Sequence, residues 1–143
     1  MGERYCSGIF VADDTVLTCA HFLRPGDESR PGTITVRVGS RRYRARAVQR
    51  FSGTDIALLR VNTNVAGPFP KLGPAPRPLE RTVTFGFGGG ANTPAARSGR
   101  FLLTLPLAFS RNLRTFVRPA GIVVNAQPAV KGDSGGPALV DAH

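Results

Sequence analysis

The apolar runs of this chain are short, and nearly every one is closed off by Gly, Pro, Asn or Ser. Residues 8–11 and 16–19 are apolar and flank an Asp13-Asp14 turn signal, which predicts a hairpin. Residues 33–38 read Thr-Ile-Thr-Val-Arg-Val, an alternating β-branched pattern, and residues 43–51 predict its partner strand across a Gly39-Ser40 turn. Residues 56–61 form a solid apolar run suited to a buried strand, and further short runs follow at 82–87, 100–105, 115–118, 121–125 and 137–140. With 17 Gly and 12 Pro scattered through 143 residues and no long amphipathic helix, the pattern predicts an all-β domain with many turns. The stretch 66–81 is rich in Pro and Gly and has no periodicity, so it reads as a connector between two halves.

The formal net charge is +10, carried almost wholly by Arg. Attraction to an anionic polymer is one consequence of such a charge; an Arg-biased solvated surface is the plainer one. From Arg42 to Arg46 basic residues alternate with others, as on the outward face of a strand, and no aromatics are interleaved there to stack nucleobases, so no specific nucleic-acid site is indicated. No run approaches the ~20 apolar residues of a membrane span. The opening Met1-Gly2-Glu3-Arg4-Tyr5 has no apolar core of a signal peptide. Neither a Cys-x-x-Cys nor a His/Cys cluster is present, so no structural metal and no organic cofactor is expected. Cys6 and Cys19 are candidates for a disulfide, or equally for two buried small apolar residues. The Gly86-Phe87-Gly88-Gly89-Gly90 stretch lacks the Gly-Lys-Ser/Thr ending of a phosphate loop.

The segment richest in chemistry is Lys131-Gly132-Asp133-Ser134-Gly135-Gly136-Pro137. Glycines around a serine permit backbone angles closed to other residues and close approach of a substrate. Backbone N–H groups beside such a serine are able to converge on one developing oxyanion. A serine hydroxyl is a weak nucleophile that needs a base within reach, and the base needs an orienting acid. His21 ends the apolar run Leu17-Thr18-Cys19-Ala20, Asp55 opens Ile56-Ala57-Leu58-Leu59, and the chain order is His, Asp, Ser. The other histidine, His143, is the last residue and a poor base. Blander readings are a Gly-rich turn for Ser134, a half-buried histidine for His21, and a turn or cap residue for Asp55.

Gly132-Asp133-Ser134-Gly135-Gly136-Pro137 resembles the nucleophile motif of the trypsin/chymotrypsin-like serine proteases. The segment from Cys6-Ser7-Gly8 to Val16-Leu17-Thr18-Cys19-Ala20-His21 is similar to that family's histidine segment, and Asp55-Ile56-Ala57-Leu58-Leu59 to its aspartate segment. Thr84-Phe85-Gly86-Phe87-Gly88 resembles the strand that opens its second barrel. The resemblance implies two six-stranded antiparallel β-barrels of the chymotrypsin type, with residues 1–65 in the first half and 82–143 in the second. It implies a serine endopeptidase acting on protein or peptide substrates through an acyl-enzyme, with Ser134 as nucleophile, His21 as base and Asp55 as its orienting acid. The backbone N–H groups of Gly132 and Ser134 would form the oxyanion hole, and Asp133 would hold the loop through a cationic partner. A catalytically inactive binding module, for anionic polymers among others, is the alternative. Members of that family mostly act outside the cytoplasm, which implies an extracellular or cell-envelope location.

The chain departs from the family pattern at several points. Only five residues precede Cys6 and nine follow Ser134, so the first barrel is expected to lack its opening strand and the second its closing strands and C-terminal helix. The family often pairs the residue equivalent to Asp133 with a freed amino terminus; here an internal Arg is expected, and the sequence does not identify it. The base of the primary specificity pocket falls near Pro128, Ala129 and Lys131; with no Asp there, a preference for Arg or Lys substrates is not implied. The family's usual disulfide partner for Cys6 directly follows the histidine, where this chain has Phe22, while Cys19 lies before it.

Overall fold

The computed structural model describes residues 5–24, 34–74, 76–90, 93–105, 108–109, 116–117, 120–127, 129 and 132–140. Strands β1 (Gly8–Ala12) and β2 (Thr15–Cys19) form the expected hairpin, with Asp13 and Asp14 in its turn. β3 (Ile34–Val38), β4 (Arg41–Phe51) and β5 (Ile56–Val61) complete a five-stranded antiparallel sheet in the order β1-β2-β5-β4-β3. Gly39 turns the β3–β4 hairpin with a φ of 61°, a left-handed angle that a residue with a Cβ rarely adopts.

Alternation decides which face of this sheet becomes the core. In β4, Ala45 and Ala47 are buried while Arg44 and Arg46 face water, and in β5, Ala57, Leu59 and Val61 are buried while Arg60 is exposed. These residues join Val16, Leu23 and Ile34 in one cluster, with Phe10, Phe22, Val36 and Tyr43 packed around it. The three central alanines are small, which leaves room for the larger side chains of a curled sheet to meet. The Arg42 to Arg46 alternation is therefore the solvent side of β4.

The second half begins with β6 (Arg81–Gly86) and β7 (Ala95–Leu105), after residues 62–80, in which the described positions form no strand. β8 (Ala108–Phe109) and β9 (Phe116–Val117) make a separate two-stranded ribbon; β10 (Ala120–Asn125) and β11 (Ala138–Val140) extend the second sheet to the order β10-β7-β6-β11. β7 starts five residues before the run that the apolar pattern marks, at Ala95 instead of Arg100. Ala95-Ala96-Arg97-Ser98-Gly99 has weak strand propensity, but each of these residues pairs with β6, from Gly86↔Ala95 to Thr82↔Gly99. Tertiary pairing overrides local preference there. Among the described residues, no helix is long and apolar enough to cross a membrane.

Leu59→Ala is expected to lower the unfolding free energy by about 2–5 kcal/mol through the cavity it leaves. Leu72→Ala, at a side chain that is 82% exposed, serves as the control and should change it by about 0.5 kcal/mol or less. Urea titration of both variants measures the difference.

Candidate active site

The site is assembled from three chain segments, each ending or starting a strand. After Cys19 the chain tightens into one turn of 3-10 helix, Ala20–Phe22, closed by Leu23 N–H donating to Ala20 O at 3.0 Å. Leu23 drops back into the core and His21 is left facing solvent. On β5, the turn before Ile56 is held by Thr54, whose N–H and hydroxyl both donate to Phe51 O, at 3.2 and 2.8 Å. Gly53 in that turn has a φ of 75°. Asp55 follows directly and faces the 3-10 turn.

Asp55 holds His21 at two points. His21 N–H donates to Asp55 Oδ1 at 2.7 Å, and the ring Nδ1 lies 2.6 Å from Asp55 Oδ2. Ala20 N–H also donates to Asp55 O at 3.1 Å, so backbone and side chain are registered together. A carboxylate only accepts, so Nδ1 carries a proton toward it, and in the neutral ring Nε2 keeps its lone pair. With side chains 43% and 20% exposed, the pair is reachable from solvent.

The loop that carries Ser134 is fixed from several sides. Gly132 and Gly135 have φ values of 100° and 85°. A Cβ on Gly132 would meet the Tyr5 ring, and one on Gly135 would meet Ser7 O, Thr18 Oγ1 and the backbone N of Cys19. The loop therefore packs directly on the end of β2, two residues from His21. Ser7 N–H donates to Ser134 O at 2.7 Å, and Ser7 Oγ donates to Gly132 O at 2.8 Å. Ser134 is exposed, and among the described residues its hydroxyl is not hydrogen-bonded to the His21 ring.

The cation that the sequence left unidentified is Arg97. Its guanidinium lies 2.8 Å from Asp133 Oδ2, with both side chains 11% exposed. The other carboxylate oxygen, Oδ1, accepts from Gly88 N–H at 2.8 Å. The glycine-rich stretch thus cradles an anion after all, one supplied by the protein's own chain. Gly86 has to be glycine for this, because a Cβ there would collide with the Asp133 carboxylate. The sequence offered no local signal for Arg97, since its role depends on Thr84↔Arg97 pairing, which brings it beside the β6 end. Ser7 and Thr18 were also overlooked, although both lie inside the segment that resembles the histidine motif.

Cys6 and Cys19 are hydrogen-bonded to one another as thiols, and no disulfide joins them in this structure. Cys6 Sγ also lies 3.3 Å from Thr18 Oγ1, and Cys19 Sγ lies 3.9 Å from His21 Nε2. The hydrogen bond with Cys6, and next to it burial, push the Cys19 thiol well above its ordinary pKa. Of the expected primary-pocket residues, Pro128 and Lys131 lie outside the described residues and Ala129 is exposed. A cavity of about 240 Å³ lies beside the Ser134 loop, lined by Ser7, Ile9, Phe85, Phe87, Pro137 and Leu139 among others. A larger groove of about 560 Å³, lined by Arg44, Arg46 and Arg60, shares no residue with the site. Among the described residues, no group of three or more His, Cys, Asp or Glu side chains is placed to hold a metal ion.

The sequence matches the family model for the trypsin-like peptidase domain over residues 6–143. No curated protein matches it. The fold is similar to that of the Rv3671c protease of M. tuberculosis. Its active form superposes with a TM-score of 0.75 at 21% identity, covering 94% of this chain and 57% of that one. Its inactive form gives 0.69 at 22% identity, covering 94% of this chain and 66% of that one. The MamO protease domain of Magnetospirillum magneticum gives 0.67 at 24% identity, covering 94% of this chain and 70% of that one. The chain thus spans about two thirds or less of the Rv3671c chains it matches. The two sheets correspond to parts of a chymotrypsin-like double barrel.

Arg97→Gln strands the buried Asp133 charge and is expected to cost about 3–5 kcal/mol, read by urea unfolding at neutral pH. The raised Cys19 pKa keeps that thiol protonated through mildly alkaline pH. Iodoacetamide at pH 8 should therefore alkylate Cys19 about tenfold or more slowly in the folded chain than in urea, followed by peptide mass spectrometry.

Proposed function

The chain belongs to the trypsin-like peptidase family, and from that premise we propose that it is a serine endopeptidase acting through an acyl-enzyme, with His21, Asp55 and Ser134 as its triad. The observation that carries this reading is the double hold of Asp55 on His21, at the backbone N–H and at Nδ1, with bonds of 2.7 and 2.6 Å. That arrangement fixes the tautomer a general base needs: the Nδ1 proton faces the acid and the Nε2 lone pair is available to a hydroxyl.

In the proposed reaction, Ser134 Oγ attacks the peptide carbonyl carbon while its proton passes to His21 Nε2. The negative charge that develops on the carbonyl oxygen is met by the N–H groups of Gly132 and Ser134. The C–N bond then breaks, and Nε2 returns the proton to the departing amine. Water attacks the ester carbonyl carbon, giving a proton to Nε2; the C–Oγ bond then breaks, Nε2 passes that proton to Ser134 Oγ, and the acyl half leaves as the carboxylic acid. Asp55 stays ionised throughout and stabilises the imidazolium. Every group named belongs to the chain, the peptide or one water molecule, and the proton inventory balances among them. The substrates are proteins or peptides, and a location outside the cytoplasm fits this family.

A fluorophosphonate probe tests the nucleophile directly. The wild-type chain should be labelled, Ser134→Ala should not, and His21→Ala should label about 10²-fold or more slowly. A wild-type chain that stays unlabelled while folded would favour the non-catalytic binding module instead.

A further inference from the structure

We infer that Ser7 is a positioning residue for the nucleophile, holding the peptides on both sides of the Asp133–Ser134 bond so that the Ser134 N–H faces the oxyanion site. The inference rests on the peptidase reading and adds to it a residue outside the triad. Its basis is a set of bonds that converge on one side chain and its own backbone.

Three successive carbonyls of the loop are engaged. Gly132 O accepts from Ser7 Oγ at 2.8 Å, Asp133 O from Gly136 N–H at 3.1 Å, and Ser134 O from Ser7 N–H at 2.7 Å. In a trans peptide the C=O and N–H point in opposite directions. Tying Asp133 O to Gly136 therefore turns the N–H of Ser134 the other way. Ser7 fixes the two neighbouring peptide planes, and it does so from one residue. Loops rich in glycine have many backbone states available, so an external tether is what selects one.

Ser7 also connects this loop to the rest of the site. Its hydroxyl, while donating to Gly132 O, accepts from Phe87 N–H at 2.8 Å, just past the end of β6. Its carbonyl accepts from Thr18 Oγ1 at 2.7 Å, on the strand that leads to His21. Ser7 and Thr18 are 3% and 6% exposed, so these bonds are shielded from water. One residue thus touches the nucleophile loop, the strand carrying the base, and the strand that positions Gly88 against Asp133. An alanine at position 7 keeps the N–H bond to Ser134 O and loses the hydroxyl alone. The Gly132 carbonyl and the Phe87 N–H then lose their shared partner.

Fluorophosphonate labelling rates are compared for the wild type, Ser7→Ala and Ser7→Thr, well below their melting temperatures. Ser7→Ala should label about ten- to a hundredfold more slowly. Ser7→Thr, which retains the hydroxyl, should recover most of the rate. With a peptide ester, and with kcat referred to the folded fraction measured by circular dichroism, Ser7→Ala should still lower kcat and leave KM nearly unchanged, whereas mere loss of stability leaves the corrected kcat at the wild-type value. If Ser7→Ala does not fold, amide hydrogen exchange in the wild type decides: slow exchange at Phe87 and Ser7 supports the clamp, and exchange at random-coil rates overturns it. A wild type that labels alongside a Ser7→Ala that labels equally fast removes the positioning role alone. A wild type that never labels removes the peptidase reading and the positioning role together.

Discussion

A carboxylate taken almost out of water has to be compensated at both of its oxygens, and the architecture of the second half follows from how Asp133 meets that demand. Arg97 supplies a full positive charge to Oδ2, and Gly88 N–H supplies a dipole to Oδ1. Arg97 reaches the carboxylate only because β7 begins early and places it opposite Thr84 on β6. Gly88 reaches it only because β6 ends at Gly86, where the absence of a Cβ admits the carboxylate. The fold therefore has a reason to extend β7 through residues of poor strand propensity. The reward is a buried charge left with no oxygen unpaired.

The same compensation bears on the serine next door. Asp133 cannot rotate without abandoning a buried ion pair, so the backbone on its C-terminal side inherits a fixed direction. Ser7 completes the constraint from the opposite sheet, through Gly132 O and Ser134 O. A buried ion pair and Ser7 thus divide the work: the first fixes where the loop sits, the second, through its hydroxyl and its backbone N–H, how the peptide planes on either side of the Asp133–Ser134 bond are turned. Neither alone would do so in a segment with glycines at 132, 135 and 136.

Much of this was legible in the sequence, and the missing parts share a cause. The first sheet follows from alternation, as in β4, where Arg44 and Arg46 face water and Ala45 and Ala47 face the core. His21 and Asp55, which the structure brings together, each sit at the boundary of a strongly patterned strand, and Ser134 stands out in the sequence by its glycine-rich setting. Arg97 does not, because one arginine among many acquires its role solely through the register of β6 against β7. Ser7 escaped for a related reason: all its partners but Thr18 lie 80 to 127 residues away along the chain, from Phe87 to Ser134. Pattern reading recovers what local sequence encodes. It does not recover a contact that exists only after two sheets meet.

The His21–Asp55 pair shows how little of a site's geometry needs to come from attraction between its charges. The pair is open to solvent, and exposed ion pairs typically contribute about 1 kcal/mol or less. Its alignment comes instead from the β2–β5 ladder, in which Cys19 pairs with Ile56 and Ala20 N–H then bonds Asp55 O. The register of that ladder is set by the core, since Val16 faces Leu59 across it and both are buried. A slip of one residue would turn Ala57, Leu59 and Val61 toward water and carry Asp55 away from the 3-10 turn in the same motion. The hydrophobic effect that selects the register therefore also sets the distance from imidazole to carboxylate. Substitutions deep in the first sheet should reach the site through that route, without touching His21 or Asp55.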